Sequence, residues 1–109
     1  LIEKTGSNVI VTQDLEAVVE GSDVLYTDVW VSMGKEEESK SRLEMFKGYQ
    51  INTPLMAKAN PDALLMHCLP AYRGKEVSEE ALEEHSTTIF DQAENRLHAQ
   101  KAIMSWLVE

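Results

Sequence analysis

The run Ala63-Leu64-Leu65-Met66-His67-Cys68-Leu69-Pro70 limits what this chain can fold into more than any other segment. An unbroken apolar stretch ends in an imidazole, the only thiol among 109 residues, and a proline. A short apolar run closed by a turn signal reads as a strand buried within a sheet. Proline has no N–H to give to a ladder, so the strand stops there and presents reactive groups at a sheet edge.

Three further apolar runs, at residues 8–12, 24–29 and 88–90, also read as strands beside the one at 63–69. Helical stretches lie between them. Residues 14–20 start with Asp14 as a cap and stop at Gly21, residues 35–46 form a charged amphipathic stretch ended near Gly48, and residues 78–85 open on the capping residue Ser78. The alternation predicts an α/β fold: a three-layer parallel sheet with helices on both faces, the Rossmann-like arrangement.

Residues 92–108 lack proline and glycine and make the longest helix expected, apolar nearly all round in its second half. The expected division is a partial domain at 1–91 and a C-terminal helix at 92–109 that docks on chain outside this sequence. A start at Leu1 without methionine, with a strand-like run by residue 8, reads as part of something longer.

Nineteen acidic against ten basic residues give a net charge of -9, which repels phosphate backbones and anionic membranes, so neither nucleic acid nor a membrane is expected as partner. A single cysteine forms no internal disulfide, which fits a reduced, intracellular setting. No apolar stretch approaches the roughly 18 residues of a membrane span.

Ligands of open α/β sheets bind outside the carboxyl ends of the strands. Three polar clusters are expected at that rim: Asp28 to Gly34 after the second strand, His67 to Pro70 closing the third, and Asp91 to Arg96 after the fourth. Each has a bland reading. Asp28 can cap a loop, Ser32 can belong to a turn, Met33 and Cys68 can be core, and His67 can be a buried, satisfied histidine. Arg96, placed in the first turn of the expected helix, opposes the helix dipole and calls for an anion, either Asp91 or Glu94 or a bound phosphate or carboxylate. Metal binding is disfavoured: His67 and Cys68 point to opposite faces of a strand, and no second Cys/His pair supplies a zinc spacing. There is no Gly-rich phosphate loop, and no cofactor is expected.

At these residues the chain resembles the ornithine carbamoyltransferases. Asp28-Val29-Trp30-Val31-Ser32-Met33-Gly34 is similar to the family's ornithine loop, and His67-Cys68-Leu69-Pro70-Ala71-Tyr72-Arg73-Gly74 to its catalytic loop. Glu94-Asn95-Arg96-Leu97-His98-Ala99-Gln100-Lys101 is similar to the start of its C-terminal helix. The resemblance implies transfer of the carbamoyl group of carbamoyl phosphate to the δ-amine of L-ornithine, giving citrulline and phosphate.

It further implies that Asp28 binds the ornithine α-amine and that Ser32 and Met33 hold the carboxylate end. Cys68, assisted by Asp28, would help the δ-amine lose its proton, with nearby cations favouring the thiolate. Arg96, His67 and the backbone at Cys68 and Leu69 would bind carbamoyl phosphate. The Leu69-Pro70 bond would be cis, and the assembly a homotrimer or a group of trimers. Because the carbamoyl phosphate half lies outside this sequence, the 109 residues alone are expected to be inactive. Two alternatives stand beside this reading: a carbamoyltransferase for another amine such as putrescine, and a noncatalytic α/β ligand-binding module.

Overall fold

The computed structural model describes residues 2–31 and 36–108. Along the chain lie α1 (Ile2–Thr5), α2 (Leu15–Val19), β1 (Val24–Thr27), α3 (Glu36–Met45), α4 (Thr53–Met56), β2 (Leu64–His67), α5 (Glu79–Glu84) and α6 (Ser86–Val108). The two strands pair in parallel, with Val24 opposite Leu64 and Thr27 opposite His67. The fold is thus α/β, a parallel sheet with helices, as the alternating pattern predicts.

Several boundaries follow from chemistry visible in the sequence. Asp14 accepts the Ala17 N–H and caps α2, Asn52 accepts the Leu55 N–H ahead of α4, and Ser78 accepts the Ala81 N–H ahead of α5. Gly21 follows α2 with φ of 71°, in the left-handed region that a side chain disfavours, and so turns the chain toward β1.

Side chains alternate in and out along the strands. Leu25, Leu65 and His67 face the interior, whereas Val24, Tyr26 and Leu64 remain about half exposed. The inward positions join Val19, Leu55, Met56, Val77, Ala81, Leu82 and Ile89 in one core. That core ties β2 to α6 and the small helices to one another, so the carboxyl end of β2 is a fixed edge.

Two expected strands are not strands. Residues 8–12 form no regular element, and Val9, Ile10 and Val11 are exposed at 58%, 67% and 95%. β-propensity records packing on a pleated surface, and no described strand offers these residues one. Residues 88–90 lie inside α6, where Ile89 is the helix's buried anchor at 1% exposure. Three β-favouring residues are outweighed by a helix of 23 residues that needs that isoleucine in the core. The helix expected at 92–108 therefore starts earlier, at Ser86. Beyond Phe90 it has no buried residue, and Leu97, Ile103, Met104, Trp106, Leu107 and Val108 are all exposed.

Candidate active site

The register of the sheet assembles the site. Thr27 is opposite His67, so one step further along two parallel strands Asp28 comes to face Cys68. The thiol donates to Asp28 Oδ1 at 3.0 Å. The same oxygen accepts the Val29 N–H at 2.7 Å, which leaves Oδ2 without a partner among the described residues. Asp28 is exposed and Cys68 partly so. An exposed carboxylate oxygen beside a thiol can receive an ammonium and leave the sulfur next to it.

The charges act in one direction. Bonds from the Cys68 thiol and the Val29 N–H hold the Asp28 carboxyl below the usual carboxylate range. In return the bond to Asp28, together with burial and the carboxylate charge, pushes the Cys68 thiol up, and the nearby Tyr26 hydroxyl opposes this. The thiol is therefore held in its protonated form. This differs from the sequence expectation of nearby cations favouring the thiolate: the charged group bonded to the sulfur is an anion.

His67 and Cys68 do point to opposite sides of the strand end. The His67 ring is fully buried. Its Nδ1 accepts the Leu69 N–H at 2.9 Å, and a ring nitrogen that accepts carries no proton, so a neutral ring has its proton on Nε2. Nε2 lies 3.3 Å from Glu76 Oε1, which also accepts the Tyr72 N–H at 2.6 Å. Glu76 is fully buried, with Oε2 lacking a partner among the described residues. The pair fastens both ends of the turn from Cys68 to Tyr72.

Within that turn the Leu69-Pro70 bond is cis and Leu69 has φ of 53°. The left-handed region costs a non-glycine residue about 1–2 kcal/mol, and the Leu69 N–H bond to His67 helps to hold it there. That N–H is consequently not available to a ligand in this arrangement.

Arg96 reaches the neighbourhood differently from the sequence expectation. It lies well inside α6, about three turns beyond Ser86, so it does not oppose the dipole at the helix start. It is exposed, and makes no ion pair with a described residue; Glu94 instead meets His98 at 3.3 Å. Four residues before Arg96, and so on the same face of α6, Gln92 Oε1 accepts the His67 N–H at 2.9 Å. This bond ties the helix that carries Arg96 to the end of β2.

Ser32 and Met33 lie outside the described residues. Among the described residues no group of three or more His, Cys, Asp or Glu is placed to hold a metal ion. The sequence reading did not single out Glu76, Gln92 or Tyr26. A buried histidine needs a partner, which was the available signal for Glu76; for Gln92 and Tyr26 the signal appears only once α6 and the register are known.

Residues 1–107 match the aspartate/ornithine carbamoyltransferase family, Asp/Orn binding domain. The ornithine carbamoyltransferase of Methanothermobacter thermautotrophicus is 54% identical over 108 residues, which are 99% of this chain and 36% of that protein. That of a Nitratiruptor species is 54% identical over 105 residues, 96% of this chain and 34% of that protein. The crystal structure of anabolic ornithine carbamoyltransferase from Campylobacter jejuni superposes with a TM-score of 0.92 at 43% identity, covering 97% of this chain and 35% of that one. The chain thus spans about a third of the length of the relatives it matches. With its matched strand ends, its Asp28–Cys68 pair and this likeness along nearly its whole length, the chain belongs to the aspartate/ornithine carbamoyltransferase family, as an Asp/Orn binding domain.

Proposed function

We propose that this chain is the ornithine-binding part of a carbamoyltransferase that moves the carbamoyl group of carbamoyl phosphate to the δ-amine of L-ornithine, releasing citrulline and phosphate. The observation that carries the reading is the 3.0 Å contact between Cys68 and Asp28 at the open carboxyl ends of the strands. An alkyl ammonium cannot attack a carbonyl carbon, because its lone pair holds a proton. Asp28 Oδ2 receives the ornithine α-ammonium, and this cation offsets the charge that keeps Cys68 protonated. The thiol proton then passes more readily to solvent, and the thiolate takes a proton from the δ-ammonium, which frees the amine lone pair.

Ser32 and Met33 hold the amino-acid end. Arg96 receives the phosphate of carbamoyl phosphate, its guanidinium being exposed and without an ion pair to a described residue. The backbone of Cys68 and Leu69 positions the carbamoyl group. His67, which is buried, serves this turn by holding Leu69 rather than by offering its ring to a ligand. The C-terminal helix, residues 92–109, packs on the carbamoyl phosphate half, working protein is a homotrimer or a group of trimers, and it acts in the cytoplasm or the mitochondrial matrix. No helix among the described residues is long and apolar enough to cross a membrane.

The test is citrulline formation from carbamoyl phosphate and ornithine by the full-length protein, with putrescine as competitor. Ornithine should be the preferred amine, and Cys68→Ala should lower kcat by about 10²–10⁴-fold. A preference for putrescine would reassign the substrate, and unchanged turnover in the alanine variant would remove the thiol from the chemistry. Residues 1–109 alone should show negligible activity.

A further inference from the structure

The Gln92 side chain lies between α6 and both strands. Its orientation is decided by its partners: the His67 N–H can only donate, so the Gln92 atom 2.9 Å away is Oε1. The amide nitrogen therefore faces Tyr26 and donates to its hydroxyl oxygen at 3.2 Å. One amide thus meets β2 through its backbone and β1 through a side chain. The bond to His67 matters for the thiol, because His67 directly precedes Cys68 and the Leu69 N–H on the other side is held by His67 Nδ1. The backbone that carries the sulfur is fastened on both sides. Along α6, Ile89 is the last buried residue, and among the described residues no hydrogen bond or ion pair joins the helix to the strands beyond Gln92. Arg96 follows one turn later on the same face, about 6 Å along the axis.

We infer that Gln92 is a positioning residue that sets where the Arg96 guanidinium stands relative to Cys68. Its amide is bonded to His67 and Tyr26 and acts through the residues it places. Ile89 alone fixes α6 in the core at one point, and one point leaves a helix free to turn about it. The Gln92 bonds supply a second point three residues on, which sets the rotation and the height of the turn that carries Arg96. Without them a small rotation of α6 is carried out to the tip of a long side chain. Phosphate held by a displaced guanidinium would no longer present its carbamoyl group to an amine beside Cys68, and misplacement by about 1 Å is enough to cost about 10²-fold in rate. The effect on catalysis rests on the carbamoyltransferase reading of Arg96 and Cys68, whereas the hold of Gln92 on the strand end does not.

The experiment separates the two in the full-length protein, at a temperature where circular dichroism shows every variant folded. Gln92→Leu keeps much of the volume and removes both acceptor and donor, with Gln92→Ala in its place should leucine prevent folding. Gln92→Glu keeps an acceptor for the His67 N–H. Gln92→Leu should raise KM for carbamoyl phosphate by about tenfold or more and leave KM for ornithine within about threefold, whereas a loss of folded protein would change neither. Gln92→Glu should bring KM for carbamoyl phosphate back to within about threefold of the parent. Once Arg96→Ala has removed the guanidinium, Gln92→Leu should change that KM by less than about twofold, since both act through one side chain. Exchange of the His67 amide reads the bond without turnover, and its protection should fall about tenfold in Gln92→Leu and persist in Gln92→Glu. An unchanged KM for carbamoyl phosphate in Gln92→Leu, a Gln92→Glu variant as impaired as Gln92→Leu, or effects that multiply in the double variant would overturn the inference. If the parent carbamoylates no amine, the functional reading fails, and the His67 exchange decides alone: protection retained in Gln92→Leu overturns the hold on the strand end, and protection lost supports it.

Discussion

Replacing Glu76 by alanine tests the buried pair beneath the Cys68 turn. Glu76 is fully buried and its Oε1 accepts two bonds, from Tyr72 N–H at 2.6 Å and His67 Nε2 at 3.3 Å. Alanine leaves the buried His67 N–H without a partner, at about 1–3 kcal/mol. Tyr72 is exposed, so its N–H can turn to water and adds at most about 1 kcal/mol. The emptied volume adds about 1 kcal/mol more. Against these stands relief of a buried carboxyl group whose Oε2 has no partner among the described residues, which returns about 1 kcal/mol. The net loss is about 1–4 kcal/mol, or about 0.7–2.7 M in the urea midpoint for a slope near 1.5 kcal/mol/M. Glu76→Gln keeps one acceptor oxygen and should cost less than alanine. Urea unfolding followed by circular dichroism measures both. Amide exchange adds a local readout, because Leu69 N–H is held by the ring that Glu76 holds, so the Leu69 and Tyr72 amides should lose protection together. An alanine variant within about 0.5 kcal/mol of the parent, or a glutamine variant costlier than alanine, would refute the reasoning.

Ile89→Ala removes the buried anchor of α6 and should cost about 2–5 kcal/mol by thermal or urea unfolding, far more than the same change at exposed Ile103. Ser78→Ala deletes the acceptor for Ala81 N–H at the start of α5 and should cost about 1 kcal/mol in urea unfolding, largely restored by Ser78→Asp. Asp28→Asn removes the group that raises the Cys68 thiol, so the midpoint of Cys68 alkylation should fall and the rate below it should rise.

Much of this site can be traced to single residues in the sequence, and the failures also have identifiable causes. The apolar run ending at Pro70 marks β2 and its edge, since no other element accommodates such residues followed by a proline. Asp14 and Ser78 mark helix starts through a side-chain oxygen that satisfies a free N–H. The apolar run at 8–12 forms no strand because strand propensity needs a partner, which lies nowhere in the described chain. Taking residues 88–90 for a strand puts the start of α6 at Gln92 instead of Ser86, and that single shift produces the dipole argument for Arg96. The role of Gln92 was hidden by the same shift. A side chain that bonds two strands at once has no local signature, because its partners lie 25 and 66 residues away.

The contact most informative for function is the one that looks least suited to it. A base must give up its proton, and Asp28 holds the proton on Cys68. Yet the group that opposes the base also has an oxygen, Oδ2, with no partner among the described residues. If the thiol were activated permanently by a lysine or arginine, it would stand as a thiolate in the empty site, open to oxidation and alkylation. Activation through Asp28 instead depends on what Asp28 holds. In the proposed reaction an ammonium on Oδ2 would weaken the carboxylate's grip on the thiol proton. The same contact would then give an unreactive thiol when no amine is bound and a proton acceptor when an amine with a second positive group is held. Ornithine, the amine proposed as substrate, has this charge pattern, its α-ammonium fixed and its δ-amine free to move.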